Sequence, residues 1–279
     1  LDKFFPKLPL DQWVEKLVRY LWEHAGGGFD FIKWVISSWV DLLAFLFMSP
    51  PDWVMILLFT LLAWLLSKGS VAIFTLMGLS LVSNLGYWDN TMQTLALVLT
   101  AALISIMIGI PTGIMCARKD SVRDMVMPVL DFMQTMPAFV YLIPAIFFFG
   151  IGEVPGVIAS VIFAMPPTIR LTNLGIRQVP AELVEAADSF GSTAQQKLLK
   201  VQLPLAKPTI MAGINQCIML SLSMVVIASM IGAKGLGADV YRAVTQIKIG
   251  QGFEAGLAIV ILAIMLDRVT QHIGKQKRV

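Results

Sequence analysis

Apolar residues in this chain come in long runs separated by short polar breaks, instead of the narrow stripes of a water-soluble helix bundle. About 20 mainly apolar residues suffice for one helical crossing of a bilayer. Seven runs are predicted to span: 53–67, 69–88, 90–117, 126–149, 154–171, 208–232 and 254–271. The first is short, and Glu254 and Asp267 bracket a short uncharged stretch in the last. Ahead of them, 29–47 is apolar but interrupted by Asp30, Lys33 and Asp41. Lone charges at a bilayer centre are costly, so this piece is predicted as an amphipathic helix lying in the outer interface, with Trp34 and Trp39 at headgroup level. The alternative is an eighth span with the N-terminus inside.

Composition agrees with this pattern: 57% of residues are hydrophobic and only 14% charged, which excludes an ordinary soluble domain. The fold class expected is all-α, a polytopic membrane protein of about seven transmembrane helices. Cys116 and Cys217 sit in or at the edge of apolar runs and are expected to be free thiols, with no disulfide and no metal site. His24 and His272 lie far apart and have no metal-binding or catalytic spacing. Residues 1–28 mix acids and bases without a clean apolar centre and do not read as a cleavable signal peptide.

Lys and Arg accumulate in cytoplasmic loops and so orient the spans. Arg118, Lys119 and Arg123 follow the third span, and Arg170, Arg177, Lys197, Lys200 and Lys207 fill or edge the segment after the fifth. Arg268, Lys275, Lys277 and Arg278 sit at the C-terminus, while the loops at Asp89–Asn90 and 150–156 carry no base. This places the C-terminus in the cytoplasm, the N-terminus outside, and Lys68 in a tight inner turn.

The longest polar stretch, 171–208, is patterned as a helix-turn-helix elbow outside the membrane. Pro180 suits a helix start, 181–189 are mostly good helix formers, and Gly191 breaks the run. Ser192 and Gln195 form an S-x-x-Q capping box that starts a second helix through Lys200, and Pro204 ends it. Small Ala186 and Ala187 would let a partner's groove approach closely, while Glu185 and Asp188 offer it charge.

Glu185-Ala186-Ala187, three residues, Gly191, nine residues, then Val201, Gln202, Leu203 and Pro204 resembles the E-A-A-x3-G-x9-I-x-L-P signature of ABC importer permeases, with valine where isoleucine is usual. The runs 91–112, 134–144, 163–170 and 232–237 look like the glycine betaine and proline betaine branch, and the likeness covers about 84–273. The resemblance implies that Glu185, Ala186, Ala187, Asp188, Gly191, Leu203 and Pro204 form the coupling loop that seats in a separate ATPase. It implies two copies of the chain enclosing the pathway, two ATPase subunits that bind ATP and Mg, and an extracytoplasmic substrate-binding protein. It also implies residence in the bacterial inner membrane, in contact with lipid and not nucleic acid. Choline, carnitine or an amino acid are alternative solutes. The expected division is a tail at 1–50, two accessory helices at 51–89, a permease core at 90–273 with its loop at 172–208, and a basic tail at 274–279.

No G-x-x-x-x-G-K-[ST] phosphate loop occurs, so no cofactor is expected in this chain and it is not expected to be an enzyme. A secondary transporter remains the rival class, and Asp131 is its clearest intramembrane carboxylate. Prolines cluster in the fourth and fifth spans, and broken backbone at membrane depth is tolerated where it is buried or lines a cavity. Asp131, Phe132, Pro137, Phe139, Tyr141 and Pro144 are therefore candidate pathway residues, the aromatics through cation–π contact with a quaternary ammonium solute. The glycine-rich stretch 232–252 is expected to be a flexible external gate and docking surface, through Gly232, Lys234, Gly235, Gly237 and Arg242.

Overall fold

A computed structural model describes residues 9–274, which form helices joined by short turns, without strands. The helices are α1 (Leu10–Met48), α2 (Asp52–Leu66), α3 (Gly69–Asn84), α4 (Trp88–Arg118), α5 (Asp120–Thr135), α6 (Ala138–Phe149) and α7 (Glu153–Arg177). Then come α8 (Ala181–Ser189), α9 (Ala194–Lys197), a π-helical turn over Leu198–Gln202, α10 (Leu203–Ser229), α11 (Leu236–Thr245) and α12 (Ile249–Gly274). The basic tail expected at 274–279 lies, beyond its first residue, outside the described residues.

α4, α7 and α10 form the centre. Without a hydrophobic drive between helices in lipid, close backbone approach through small residues does the work. Gly109 and Gly113 of α4 face Thr168 and Thr172 of α7, and Gly213 of α10 faces Pro167 and Leu171. Met92, Leu95 and Val98 of α4 join Leu222 and Val225 of α10 and Leu262 and Met265 of α12 in the largest apolar cluster. Thr91, Thr94 and Thr100 satisfy their hydroxyls on the carbonyl four residues back, so they sit in this interior without an orphan donor.

Among the described residues, five helical units are long and apolar enough to cross a membrane: α1, α4, α7, the continuous 194–229 unit and α12. Six result if α5 and α6 are taken as one bent unit. The seven expected spans change in three places. The run at 126–149 is broken into α5 and α6, whose axes meet at 99°. Pro137 causes the break, since a proline drives the residue before it out of the helical region, and Met136 has φ −70° and ψ 137°. The runs at 53–67 and 69–88 form helices of only 15 and 16 residues, a hairpin short of a full crossing at 1.5 Å per residue.

The third change is α1. Instead of a separate helix at 29–47, one helix of 39 residues runs through the charged positions and through Gly26, Gly27 and Gly28. Lys33 Nζ lies 3.5 Å from where a Cβ on Gly150 would stand. Just past the other end, Asp52 accepts a hydrogen bond from Ser83 Oγ at 2.9 Å. Both contacts lie at the end of the bundle that holds the α3–α4 and α6–α7 turns, and between them Ile36 and Val40 pack in one cluster with Leu97, Ala101 and Val157.

Candidate coupling elbow and candidate pathway surface

The first arm of the elbow is α8, with Pro180 as its N-cap. The arm ends in a Schellman turn: Gly191 N–H donates to Asp188 O at 2.9 Å and Ser192 N–H to Ala187 O at 3.0 Å. Gly191 has φ +74°, the left-handed value that this turn demands and that side chains resist. Lys197 Nζ then reaches back to both carboxylate oxygens of Asp188, at 2.7 and 2.8 Å, and ties the second arm to the first.

The second arm differs from expectation in two ways. Its capping box is Thr193 with Gln196, one residue later than Ser192 with Gln195; Gln196 N–H donates to Thr193 Oγ1 and Thr193 N–H to Gln196 Oε1. Pro204 does not end a helix either. Lacking an N–H, a proline strips the carbonyl four residues back of its α-helical partner. The backbone here widens into the π turn, Leu203 N–H bonds to Leu198 O, and α10 carries on to Ser229. The second arm is thus the first turn of a 36-residue helix that enters the bundle core. Leu203 is partly buried against Ile176 and Ala206, while Pro204 lies on the exposed side.

α8 buries none of its residues within the chain. Leu183 is 45% exposed and Phe190 90% exposed, beside exposed Glu185 and Ala186 and half-buried Ala187. At the root of the arm, Arg177 binds Asn173 Oδ1 at 3.0 Å, Cys116 O at 2.9 Å and Asp120 Oδ1 at 2.6 Å. It thereby joins α7, α4 and α5 immediately before α8. Sequence reasoning missed Arg177 as a positioning residue, because its partners lie 57 and 61 residues away and no local pattern marks them.

The candidate pathway residues divide into two groups. Phe132, Pro137 and Phe139 are exposed around the α5–α6 break, and Pro144 is half-buried within α6. Asp131 pairs with Arg170 at 2.5 Å, and Arg170 also holds Gln134, so the carboxylate is tied between α5 and α7. Tyr141 is buried, and its hydroxyl donates to Met133 O, whose α-helical partner four residues on would be Pro137, and to Phe132 O, which also accepts from Met136 N–H. It braces the bend, so its ring is not free to meet solute as expected. Tyr141→Phe should lower stability by about 1 kcal/mol and leave the apparent affinity for solute unchanged; thermal unfolding and uptake kinetics check both.

The glycine-rich stretch is a packed corner instead of a flexible loop. α11 fills much of it. Leu236 N–H donates to Thr94 Oγ1 at 2.8 Å, Ser229 Oγ to Gly237 O at 3.0 Å, and Asn90 Nδ2 to Asp239 Oδ2 at 2.5 Å. Gly232 and Gly235 take φ +93° and +107° at the turn. Lys234 and Arg242 remain exposed, the latter 3.7 Å from Asp239. Cys116 and Cys217 are buried free thiols.

The profile of the family described as "Binding-protein-dependent transport system inner membrane component" matches residues 109–279. The glycine betaine transport system permease protein OpuAB of Bacillus subtilis is 57% identical over 273 residues, covering 98% of this chain and 97% of its own. The glycine betaine/carnitine transport permease protein GbuB of Listeria monocytogenes is 58% identical, covering 98% of each. The glycine betaine/proline betaine permease ProW of Escherichia coli is 48% identical over all of this chain and 79% of its own. Among solved structures, the MetNI methionine ABC transporter in inward-facing form shares the fold, with TM-score 0.62, 20% identity, and coverage of 67% of this chain and 94% of that one.

Proposed function

This chain belongs to the family of binding-protein-dependent transport system inner membrane components, and we propose that it is the permease subunit through which an ATP-driven importer brings glycine betaine or proline betaine into the cell. It is a multi-pass membrane protein and a transport subunit. Two copies enclose the path, each presents one elbow to one ATPase subunit, and a binding protein delivers solute to the opposite end. The observation that carries this reading is α8. It is a helix with exposed Leu183 and Phe190, held at a fixed angle by the Gly191 turn and continuous through its second arm with α10. A displacement at the elbow is thereby passed to the core as a rigid-body movement.

The fold gathers Lys68, Arg118, Lys119, Arg123, Arg177, Lys197, Lys200 and Arg268 at the elbow end, against Lys33, Lys234, Arg242 and Lys248 at the other, where Asp89, Glu153 and Asp239 also lie. The positive-inside bias then sets the elbow in the cytoplasm and the corner at 232–245 outside. With no phosphate loop in its sequence, the chain takes ATP and Mg through the partner. Carnitine is a second solute, favoured by the Listeria relative's name. The test is uptake into proteoliposomes holding the chain, its ATPase and its binding protein. ATP-dependent accumulation of labelled glycine betaine is expected, with carnitine as competitor. Accumulation driven by an ion gradient without ATP overturns the reading.

A further inference from the structure

Where the α2–α3 hairpin meets the end of α12, Lys68, Ser70, Val71, Phe74, Ile264, Arg268 and His272 line a cavity of about 440 Å³. The cations Lys68 and Arg268 have no acidic partner among the described residues. Asp267, next to Arg268 in sequence, is taken up by Asn215 Nδ2 at 2.7 Å and by Gln271 Nε2 at 2.7 and 2.8 Å. His272 uses Nδ1 on Arg268 O at 2.8 Å, while its Nε2 is buried without a hydrogen-bond partner among the described residues.

The lining is graded along the helices. Lys68, Ser70, Arg268 and His272 stand at the helix ends, whereas Phe74 and Ile264 lie five residues into α3 and eight before His272 in α12. Charge at the rim with apolar side chains toward mid-membrane matches an anionic headgroup with its acyl chain, and a free phosphate would have no use for the apolar part. Basic pockets between membrane helices on the cytoplasmic side suit such headgroups. We propose that Lys68, Arg268 and, as the imidazolium, His272 hold the phosphate of an anionic phospholipid of the inner leaflet, its chain running along the groove between α3 and α12. The inner-leaflet assignment rests on the orientation proposed above, but binding itself does not.

The test titrates short-chain phosphatidylglycerol into the assembled transporter in neutral detergent and reads thermal unfolding. Parallel titrations use phosphatidylcholine of the same chain length and inorganic phosphate. Phosphatidylglycerol should stabilise the wild type saturably, and phosphatidylcholine should not. Each surface base contributes about fivefold in affinity, so Lys68→Gln with Arg268→Gln should weaken phosphatidylglycerol by about 25-fold. The unliganded melting temperature of that variant shows whether it folds, and Lys68→Arg with Arg268→Lys, which keeps both charges, should retain most of the affinity. Equal effects of the two lipids, or unchanged affinity in the folded double variant, overturn the site. Stabilisation by phosphate alone to the same extent overturns the lipid and leaves a phosphate site. Uptake plays no part in the readout, so failure here is distinguishable from failure of the transport reading.

Discussion

Gly191→Leu is expected to leave the chain membrane-inserted and dimeric while cutting solute imported per ATP hydrolysed by about tenfold or stripping the ATPase during purification. Space is not the obstacle, for a Cβ at Gly191 would meet nothing within 4 Å. The backbone is: at φ +74° a leucine costs about 1–2 kcal/mol. It relieves that strain by leaving the left-handed region. The bonds from Gly191 to Asp188 and from Ser192 to Ala187 then open, and the Lys197–Asp188 tie loses its geometry. Since about 1.4 kcal/mol is a factor of ten in an equilibrium, the strain is of the size needed to misplace α8 in most molecules. Gly191→Asn is the control, because asparagine enters this region readily, and it should transport near the wild-type ratio. Glu185→Ala should be milder than Leu at 191, as it removes one exposed group and keeps the turn. Normal assembly of Gly191→Leu with the wild-type ratio of uptake to hydrolysis would remove the coupling role assigned to 181–204.

Gly237→Ala should be the most damaging single methyl in the chain. The added Cβ would stand 2.3 Å from Val225 O and 2.6 Å from its carbonyl carbon, both backbone atoms that cannot turn aside. α11 must move off α10, which breaks the Ser229–Gly237 bond and strains the Leu236–Thr94 contact. Overpacking of this kind costs about 1–3 kcal/mol, and a lost buried hydrogen bond adds about 1 kcal/mol. Thermal unfolding of the purified chain and its yield from membranes read the effect. Gly256→Ala, with nothing within 4 Å of its Cβ, should be neutral or slightly stabilising. If the two variants melt together, the corner is loose, and the flexible gate first expected from its glycines is restored.

The elbow was legible because its signals are local. A helix-forming run, a stop glycine and a cap follow each other within a few residues, and Gly191 stands where that order puts it. The one-residue displacement of the capping box has an equally local cause: Ser192 and Thr193 are both cap formers, each with a glutamine three residues on. What failed was reading proline as a terminator at 204, since a π turn can absorb the missing N–H without ending the helix. At 137 the same residue type broke a span that hydropathy, which sums side chains regardless of direction, counted as one. Asp30, Lys33 and Asp41 argued for a separate interfacial helix at 29–47, yet the helix runs on through Gly26, Gly27 and Gly28, each costing about 1 kcal/mol in propensity, with Ile36, Val40 and Ala44 buried. Glycines 232–237 were taken for freedom, when at 237 the missing side chain is what lets two backbones touch. Arg177 and the basic cavity are assembled from distant segments, so nothing within a short window announces them.

The π turn at Leu198–Gln202 has a consequence for how this chain can change length. Such a turn holds one residue more than the α-helix it interrupts. Deleting one residue there would close the ladder into regular α-helix and leave Pro204 in its interior, at a cost of about 3 kcal/mol. Because successive residues are about 100° apart around the axis, everything before the deletion would swing by that angle relative to α10. Leu183 and Phe190 would then point away from the side proposed to meet the ATPase. The single extra residue sets the rotational phase between α8 and the core, and indels in this stretch should be tolerated only in multiples that preserve it.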